Sequence, residues 1–423
     1  MKRYLPVYRY LFLLSVFTVS ASSILMAQNV SSPYSILGIG EIDTKDFGRY
    51  FASGSASLAR RDAFSYNFSN PASLTALPFK NMHLDISTRG RSSRFITPDV
   101  DTATFPSNDF IVKRITMAFK VGQKTGIAFG LRPYSSVNYR YLDDQAILDG
   151  NTNYLKLVDG NGGINQFYFS LGQTLNKKVS IGATVSWLFG SLQRATQYAS
   201  SSIALDITKQ ETDFYNGAIF QGGIQYQSNS GKKWRHQLGV TSSISTGLKG
   251  EYTSEYIEQG VSIRKEVEAD RKFKLPFTAG IGYSAIKNDK LTFSVEGNFY
   301  NWQYQKVNYS NSYSYPAVRF STGMDYSIKN KQGGAGFERG YLACGISVEN
   351  YYLRIKNNQL WDYSFSLGGG LNVARNISLY SGLEFGKRGN KNADQIKESY
   401  TQLILGLTLK DIWIGPKLSR RYD

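Results

Sequence analysis

The chain has 423 residues, of which 41% are hydrophobic and 14% aromatic, and 49 Lys+Arg against 32 Asp+Glu give it a formal charge of +17. Its one cysteine, Cys344, and its two histidines exclude a disulfide framework and a multi-thiolate zinc site. We expect no metal site, no cofactor and no enzymatic activity. Lysines and arginines are spread along the whole chain instead of forming a basic stripe, so we expect no nucleic-acid partner.

The N-terminal segment has the features of a secretory signal peptide. Lys2 and Arg3 precede an apolar run over 11–19, and a stretch of small residues follows it to Ala27. The alternative is a membrane anchor, but serines and threonines interrupt the run before it reaches the roughly 20 apolar residues of a spanning helix. We therefore predict a signal peptide over 1–27. No later apolar run is long enough for a membrane helix, which leaves a free exported protein or an outer-membrane barrel.

Residues 28–79 lack the alternation of a strand. Turn sequences rich in serine and glycine are interspersed with apolar residues, among them Ile36, Leu37, Phe47 and Phe51. A segment of this size can fill the lumen of a barrel of about 14 strands, because side chains alone fill only barrels of about 8 strands. We predict a hatch, or plug; the alternative is a flexible periplasmic tail.

From about residue 80 to residue 413, segment after segment alternates apolar and polar residues. In 178–190, for example, Val179, Ile181, Val185 and Trp187 share one face, and serines, a threonine and a glycine occupy the other. This period of two indicates strands with one apolar and one polar face, and predicts an all-β protein. A soluble β-sandwich is the alternative, but its strands average about 5–6 residues. Several segments here exceed ten residues, and a membrane strand needs about 9–11.

Short polar turns alternate with longer polar connections along this region. Outer-membrane barrels have short periplasmic turns and long external loops, so the spacing predicts a transmembrane antiparallel barrel of about 14 strands over 80–413. The basic segment 414–423 then forms a periplasmic tail. Aromatic residues near the predicted strand ends suit the interfacial girdles: Tyr139, Tyr141, Tyr252, Tyr256, Tyr300, Trp302, Tyr304 and Trp413.

The two histidines and the cysteine are residue types that can act in catalysis, and each of the three also has a purely structural interpretation. His83 shares its parity with Asp85 and is predicted to face the lumen, whereas His236 is predicted to point outward or into a turn. The two histidines are therefore expected on different sides of the wall. A hydrolase that uses His83 alone is the less favoured interpretation. Cys344 is predicted to be a small buried filler.

Several short motifs occur in an order that resembles the FadL-like outer-membrane transporters, in the branch common among Bacteroidota. They are Ser32-Pro33-Tyr34-Ser35, the hatch motif Asn70-Pro71-Ala72, Gly160 to Tyr168, Val179 to Gly182, Gly386-Lys387-Arg388-Gly389 and Arg420 to Asp423. The resemblance covers nearly the whole mature chain. It implies a 14-stranded barrel with an N-terminal hatch in the bacterial outer membrane.

Two functions follow as hypotheses. The resemblance implies passive transport of long-chain fatty acids or other hydrophobic compounds, with Ile36, Leu37, Phe47 and Phe51 of the hatch binding or gating the ligand. The partners would then be outer-membrane lipid and hydrophobic small molecules. The alternative is a non-transporting subunit of a larger outer-membrane complex for protein secretion or barrel assembly, with other outer-membrane or periplasmic proteins as partners. A closed lumen with a tightly packed hatch favours the alternative.

Overall fold

A computed structural model describes most of the chain: residues 32–97, 104–148, 152–200, 205–228, 233–303, 312–332, 335–355, 358–374, 376–390 and 395–412. The predicted signal peptide over 1–27 and the predicted tail over 414–423 lie outside these residues, as do Tyr304 and Trp413 of the predicted girdles.

Fourteen antiparallel strands form one closed barrel. The uninterrupted strands are β1 (Asn81–Ile96), β2 (Thr104–Phe119), β3 (Thr125–Leu148), β4 (Thr152–Thr174), β5 (Val179–Ser200), β6 (Leu205–Gln227), β7 (Trp234–Glu258), β9 (Leu291–Asn301), β11 (Ala335–Ile355), β12 (Asn358–Ala374), β13 (Ile377–Arg388) and β14 (Lys397–Ile412). Two strands consist of two pieces each: β8 (Val261–Phe273 and Phe277–Lys287) and β10 (Ser312–Ser314 and Ala317–Gln332).

Each strand pairs with the next one along the chain, and β14 closes the barrel by pairing with β1. The closing register runs from Lys397 opposite Ile96 to Ile412 opposite Asn81. The three longest connections between strands, 97–103, 302–311 and 389–396, lie at the end opposite Asn81 and Ile412. Because long loops are external in outer-membrane barrels, the Asn81 end is the periplasmic one. The all-β transmembrane barrel predicted from the sequence is confirmed.

The two faces of the wall differ as the alternation predicts. On β5, the side chains of Val185 and Trp187 are 51% and 60% exposed on the outside. On β1, the side chains of His83 and Asp85 face the lumen and are buried. His236 is exposed, and its ring is hydrogen-bonded to the Tyr283 hydroxyl at 2.7 Å, so the two histidines do lie on different sides of the wall. The outer face carries the apolar band that a bilayer covers.

Several residues are placed differently from their predictions. Tyr139 and Trp302, predicted for the girdles, are buried inside the barrel because their parity puts them on the lumen face. The same holds for Tyr141 and Tyr300, which pack against the interior clusters, and for Tyr252, which lines a cavity at the outer mouth. Cys344 is half-buried and shares the parity of the exposed Leu342 and Ile346, so it belongs to the outer face and not to the core. Exposed aromatic residues on the outside of the barrel include Trp187, Tyr226, Trp234, Tyr283, Tyr326, Trp361 and Tyr363.

The segment before β1 lies inside the barrel. It contains three 3-10 helices, Pro33–Ile36, Phe51–Ser53 and Pro71–Ala76, and a two-residue strand, Glu41–Ile42, that pairs with β3. None of the helices in the described ranges has the length and apolar character that crossing a membrane requires. We call the described part of this segment, residues 32–79, the hatch.

Candidate functional site: the hatch in the barrel lumen

The motif Asn70-Pro71-Ala72 forms the start of the last hatch helix. The Asn70 side chain accepts a hydrogen bond from the Ala72 backbone N–H at 3.1 Å and so caps the helix Pro71–Ala76, in which proline stands at the first turn. The amide group of Asn70 also donates to the backbone oxygen of Leu58 at 3.0 Å and of Ile224 at 3.2 Å. One buried side chain thus caps the helix and ties it to the hatch and to the barrel wall.

A row of glycines forms the surface on which this helix lies. Gly126, Gly172, Gly182 and Gly223 stand directly opposite one another on the consecutive strands β3, β4, β5 and β6. A Cβ atom at Gly182 would come within 2.5 Å of the Ala72 nitrogen, and one at Gly172 within 2.7 Å of the Pro71 oxygen. Backbone therefore packs directly against backbone, which only glycine permits.

A second close contact holds the middle of the hatch against another part of the wall. Gly323 and Gly345 are opposite each other on β10 and β11, and both face the hatch residues Ser53 and Gly54. The Gly54 N–H donates to the Ser366 hydroxyl at 3.0 Å, and this hydroxyl donates to the Ala52 oxygen at 2.9 Å. The hatch is thus seated on two sides of the lumen.

Buried ion pairs join the hatch to the wall in the outer half of the barrel. Glu41 of the hatch accepts hydrogen bonds from Arg91 at 2.9 Å and from Arg388 at 2.7 Å. Arg91 also binds Glu398 at 2.5 Å, and Arg388 also binds Asp362 at 2.9 Å. We call these five residues the outer ion cluster. All five are at least 93% buried, so removing one partner leaves a charge without compensation in a medium of low polarity.

Further ion pairs attach the rest of the hatch. Arg49 holds Glu338 through two nitrogens at 2.6 and 2.7 Å, a bidentate pair. The other pairs between the hatch and the wall include Asp43 with Lys113, Lys45 with Glu384, Asp46 with Arg114 and Arg60 with Asp325, at 2.5 to 2.8 Å. Sequence reasoning missed this network. The available signal was the unusual number of charged residues on the lumen parity of the strands, for instance Asp85, Arg89 and Arg91 on β1.

The four apolar residues predicted to bind or gate a ligand are all in the hatch but do not meet at one place. Leu37 belongs to an apolar core with Trp302 and other wall residues, and Ile36 packs at its border. Phe47 and Phe51 belong to a different cluster and stack on each other, with their ring centroids 5.8 Å apart.

The cavities between hatch and wall are small. Two of them have volumes of about 20 and 40 Å³, and Phe47 lines the second together with charged residues. Sites that bury a small organic ligand usually have about 300–1,000 Å³. A third cavity of about 240 Å³ lies at the outer mouth, where Ile36 faces Arg194, Glu211 and other polar groups.

This outer cavity has a charged wall outside the apolar band. Burial acts to raise the pKa of Glu211, but hydrogen bonds from Lys209 at 2.8 Å and from the Tyr252 hydroxyl at 2.5 Å outweigh it and hold the pKa below its usual value. Arg271 pairs with Asp213 at 2.9 Å on the same side. A cavity lined with ionised groups is a poor receptor for an apolar molecule.

The lumen offers no evident catalytic centre in the part of the chain that the structure describes. No three histidine, cysteine or acidic side chains come close enough there to hold a metal ion. His83 is 1% exposed, and neither of its ring nitrogens has a hydrogen-bond partner among the described residues. A buried imidazole without such a partner lacks the oriented neighbour of a nucleophile–base pair.

Comparison with known protein families decides the relationship that the motifs left open. The model of the BamG family matches residues 9–419, which is nearly the whole chain. The chain belongs to the BamG family. No curated protein matches it significantly.

The fold of this BamG-family protein resembles FadL-like channels. A Pseudomonas aeruginosa FadL homologue superposes with a TM-score of 0.59 at 11% identity, over 89% of this chain and 100% of that one. The Pseudomonas putida toluene transporter TodX gives 0.58 at 12% identity, over 88% and 99%. The Ralstonia pickettii toluene transporter TbuX gives 0.55 at 12%, over 86% and 98%. At these identities the likeness concerns the fold, an outer-membrane barrel: the predicted FadL-like resemblance is confirmed for the fold, and the family is BamG.

Proposed function

We propose that this protein is a closed, non-transporting subunit of the outer-membrane machinery that assembles β-barrel proteins. The observation that carries this proposal is a lumen filled by a hatch that buried ion pairs and backbone contacts attach on several sides. The family name supports it, because Bam denotes the barrel-assembly machinery. In this proposal, residues 28–79 form the hatch and 80–413 the barrel, and the partners are other outer-membrane or periplasmic proteins.

The attachment of the hatch opposes a transport function. Displacing the hatch from the lumen as a whole requires the outer ion cluster, the Arg49–Glu338 pair and the glycine contacts to separate. Removing one partner of a single buried pair already costs about 3–5 kcal/mol. A rigid, filled barrel instead suits a component that presents its outer wall and its loops to partners.

The experiment is a pull-down of the tagged full-length chain from outer membranes in a mild detergent. We expect the central barrel-assembly subunit to co-purify in a constant ratio, and to be lost when the tag is placed on an unrelated 14-stranded channel from the same membrane. Recovery of the chain alone, at detergent concentrations that preserve known envelope complexes, contradicts the proposal.

Transport of hydrophobic compounds is the second candidate, and two observations favour it. The fold is that of toluene and FadL-type channels, and the 240 Å³ cavity at the outer mouth includes Ile36. In that case Ile36, Leu37, Phe47 and Phe51 contact or gate the ligand. Uptake of labelled palmitate and toluene by a deletion strain tests it: unchanged uptake supports the closed subunit, and a loss that the wild-type gene restores supports transport.

A further inference from the structure

A row of residues on the outside of the barrel crosses four consecutive strands at the outer edge of the apolar band. Tyr363 on β12 is directly opposite Lys387 on β13, Lys387 is opposite Ser399 on β14, and Ser399 is opposite Arg94 on β1. Lys397 lies two residues beyond Ser399 on the same face. Because neighbouring strands are about 4.8 Å apart, the three cationic side chains start within about 10 Å of one another.

On the described parts of these strands, no acidic residue stands beside the three cations on the outer face. Arg94 and Lys387 are exposed and Lys397 is half-buried, and none of them has an ion pair among the residues that the structure describes. The acidic residues of the same strands, Glu384 and Glu398, are buried on the lumen side. Like charges at neighbouring positions of a sheet repel one another, so an anion bound from outside the chain would stabilise this group.

The surroundings show which kind of anion fits. Phe385 lies on the face of Lys387, one step toward the periplasm, and is 46% exposed on the apolar surface. Trp361 and Tyr363 are 44% and 53% exposed beside the row, with their ring centroids 6.1 Å apart, as in the aromatic girdle of an interface. Cations directly above an apolar surface lie at the height of lipid head groups.

Two other positions toward the outer end of the wall have an acidic side chain nearby. Arg140 pairs with Asp159. Lys249 on the outer face of β7 is directly opposite Lys272 on β8, and Glu251 stands two residues from Lys249 on the same face. The group on β13, β14 and β1 differs because the described parts of these strands place no acidic residue beside it on the outer face.

We propose that Arg94, Lys387 and Lys397 form a binding site for the phosphate group of an outer-leaflet lipid, the phosphorylated glucosamine lipid known as lipid A. Arginine binds a phosphate through two nitrogens and the lysines add point charges. The acyl chains lie along Phe385 and the apolar band below it.

The test measures binding of lipid A to the full-length protein in detergent by native mass spectrometry. The variant R94Q/K387Q/K397Q is compared with K124Q/K177Q/K178Q, which removes the same charge from exposed periplasmic turns. We expect about a tenfold or greater loss of affinity in the first variant and less than about a twofold change in the second. Dephosphorylated lipid A is expected to bind the wild type as weakly as phosphorylated lipid A binds the first variant.

A second measurement keeps the test valid if the first variant folds poorly. On the wild type alone, the affinity for lipid A falls as salt is raised, whereas the affinity for dephosphorylated lipid A does not. Equal binding of both lipids to the wild type, or undiminished binding by a folded R94Q/K387Q/K397Q variant, overturns the proposal. Displacement of lipid A by millimolar inorganic phosphate, where sodium chloride of the same ionic strength does not displace it, also overturns the proposal, since it shows a site for free phosphate and not for a lipid.

Discussion

Replacing Arg388 with glutamine tests whether buried ion pairs hold the hatch. Arg388 binds Glu41 of the hatch at 2.7 Å and Asp362 of the wall at 2.9 Å, and its side chain is 7% exposed. Without it, both carboxylates stay buried and lose a cation. Removal of one partner of a buried pair costs about 3–5 kcal/mol, and we expect R388Q to lower the free energy of unfolding by this amount.

An exposed pair on the same barrel provides the control. Arg140 binds Asp159 on the outside and its side chain is 61% exposed, so R140Q makes the same chemical change where water compensates the charge. Exposed pairs contribute about 0–1 kcal/mol, and we expect a loss in this range. The difference between the two variants measures the effect of burial.

The double variant E41Q/R388Q separates pairing from other effects of the substitution. Removing Glu41 takes away one of the two carboxylates that lose a cation in R388Q, so we expect the double variant to be at least about 1 kcal/mol more stable than the sum of the single losses predicts.

The assay follows unfolding in detergent by urea with tryptophan fluorescence, together with protease cleavage of the hatch in the folded barrel. We expect R388Q to unfold at lower urea and its hatch to be cut faster. If R388Q and R140Q cost the same, or if the losses in the double variant are additive, the ion pairs do not hold the hatch and the argument for a closed lumen fails.

Three further predictions concern the helix contact, its cap and the outer mouth. G182A is expected to displace the helix at Ala72 and to raise ion conductance in planar bilayers above the wild-type level. G222A, which has open space at its Cβ, is expected to leave the conductance unchanged. Equal conductance of the two variants contradicts the close contact. N70D keeps the cap acceptor and loses the amide donor, so we expect a loss of about 1–3 kcal/mol by urea unfolding, and no loss would mean that the donated bonds contribute little. Because the pKa of Glu211 is lowered in the folded protein, its ionised form stabilises the fold at pH values above the usual pKa of 4.5, and this contribution disappears as the pH falls through the folded-state pKa. Wild type and E211Q should therefore differ in stability at pH 7 and converge in acid. A difference that is constant with pH refutes this.

Much of the architecture could be predicted from the sequence because its determinants are local. The period of two specifies which side chains face lipid, and the alternation of short and long connections specifies how many times the chain crosses the membrane. Short motifs such as Asn70-Pro71-Ala72 indicated a FadL-like barrel, which is correct for the fold. The family itself came from comparison over nearly the whole chain, because each of these motifs is too short to identify a family by itself.

The contacts inside the lumen could be identified only from the tertiary structure. The alternation showed that Arg91 and Arg388 face the lumen, but not that both would bind Glu41, which is 347 residues from Arg388 along the chain. It also placed Tyr139 and Trp302 near strand ends without showing that they fill the interior.

The physical reason lies in the range of the forces involved. Side-chain direction on a strand is a property of the local backbone, so the sequence alone determined a barrel with an apolar outside and a polar inside. Which buried charges pair with one another depends on closure of the barrel and on the packing of the hatch against the glycines of the wall. Only the folded protein brings those groups within reach of one another.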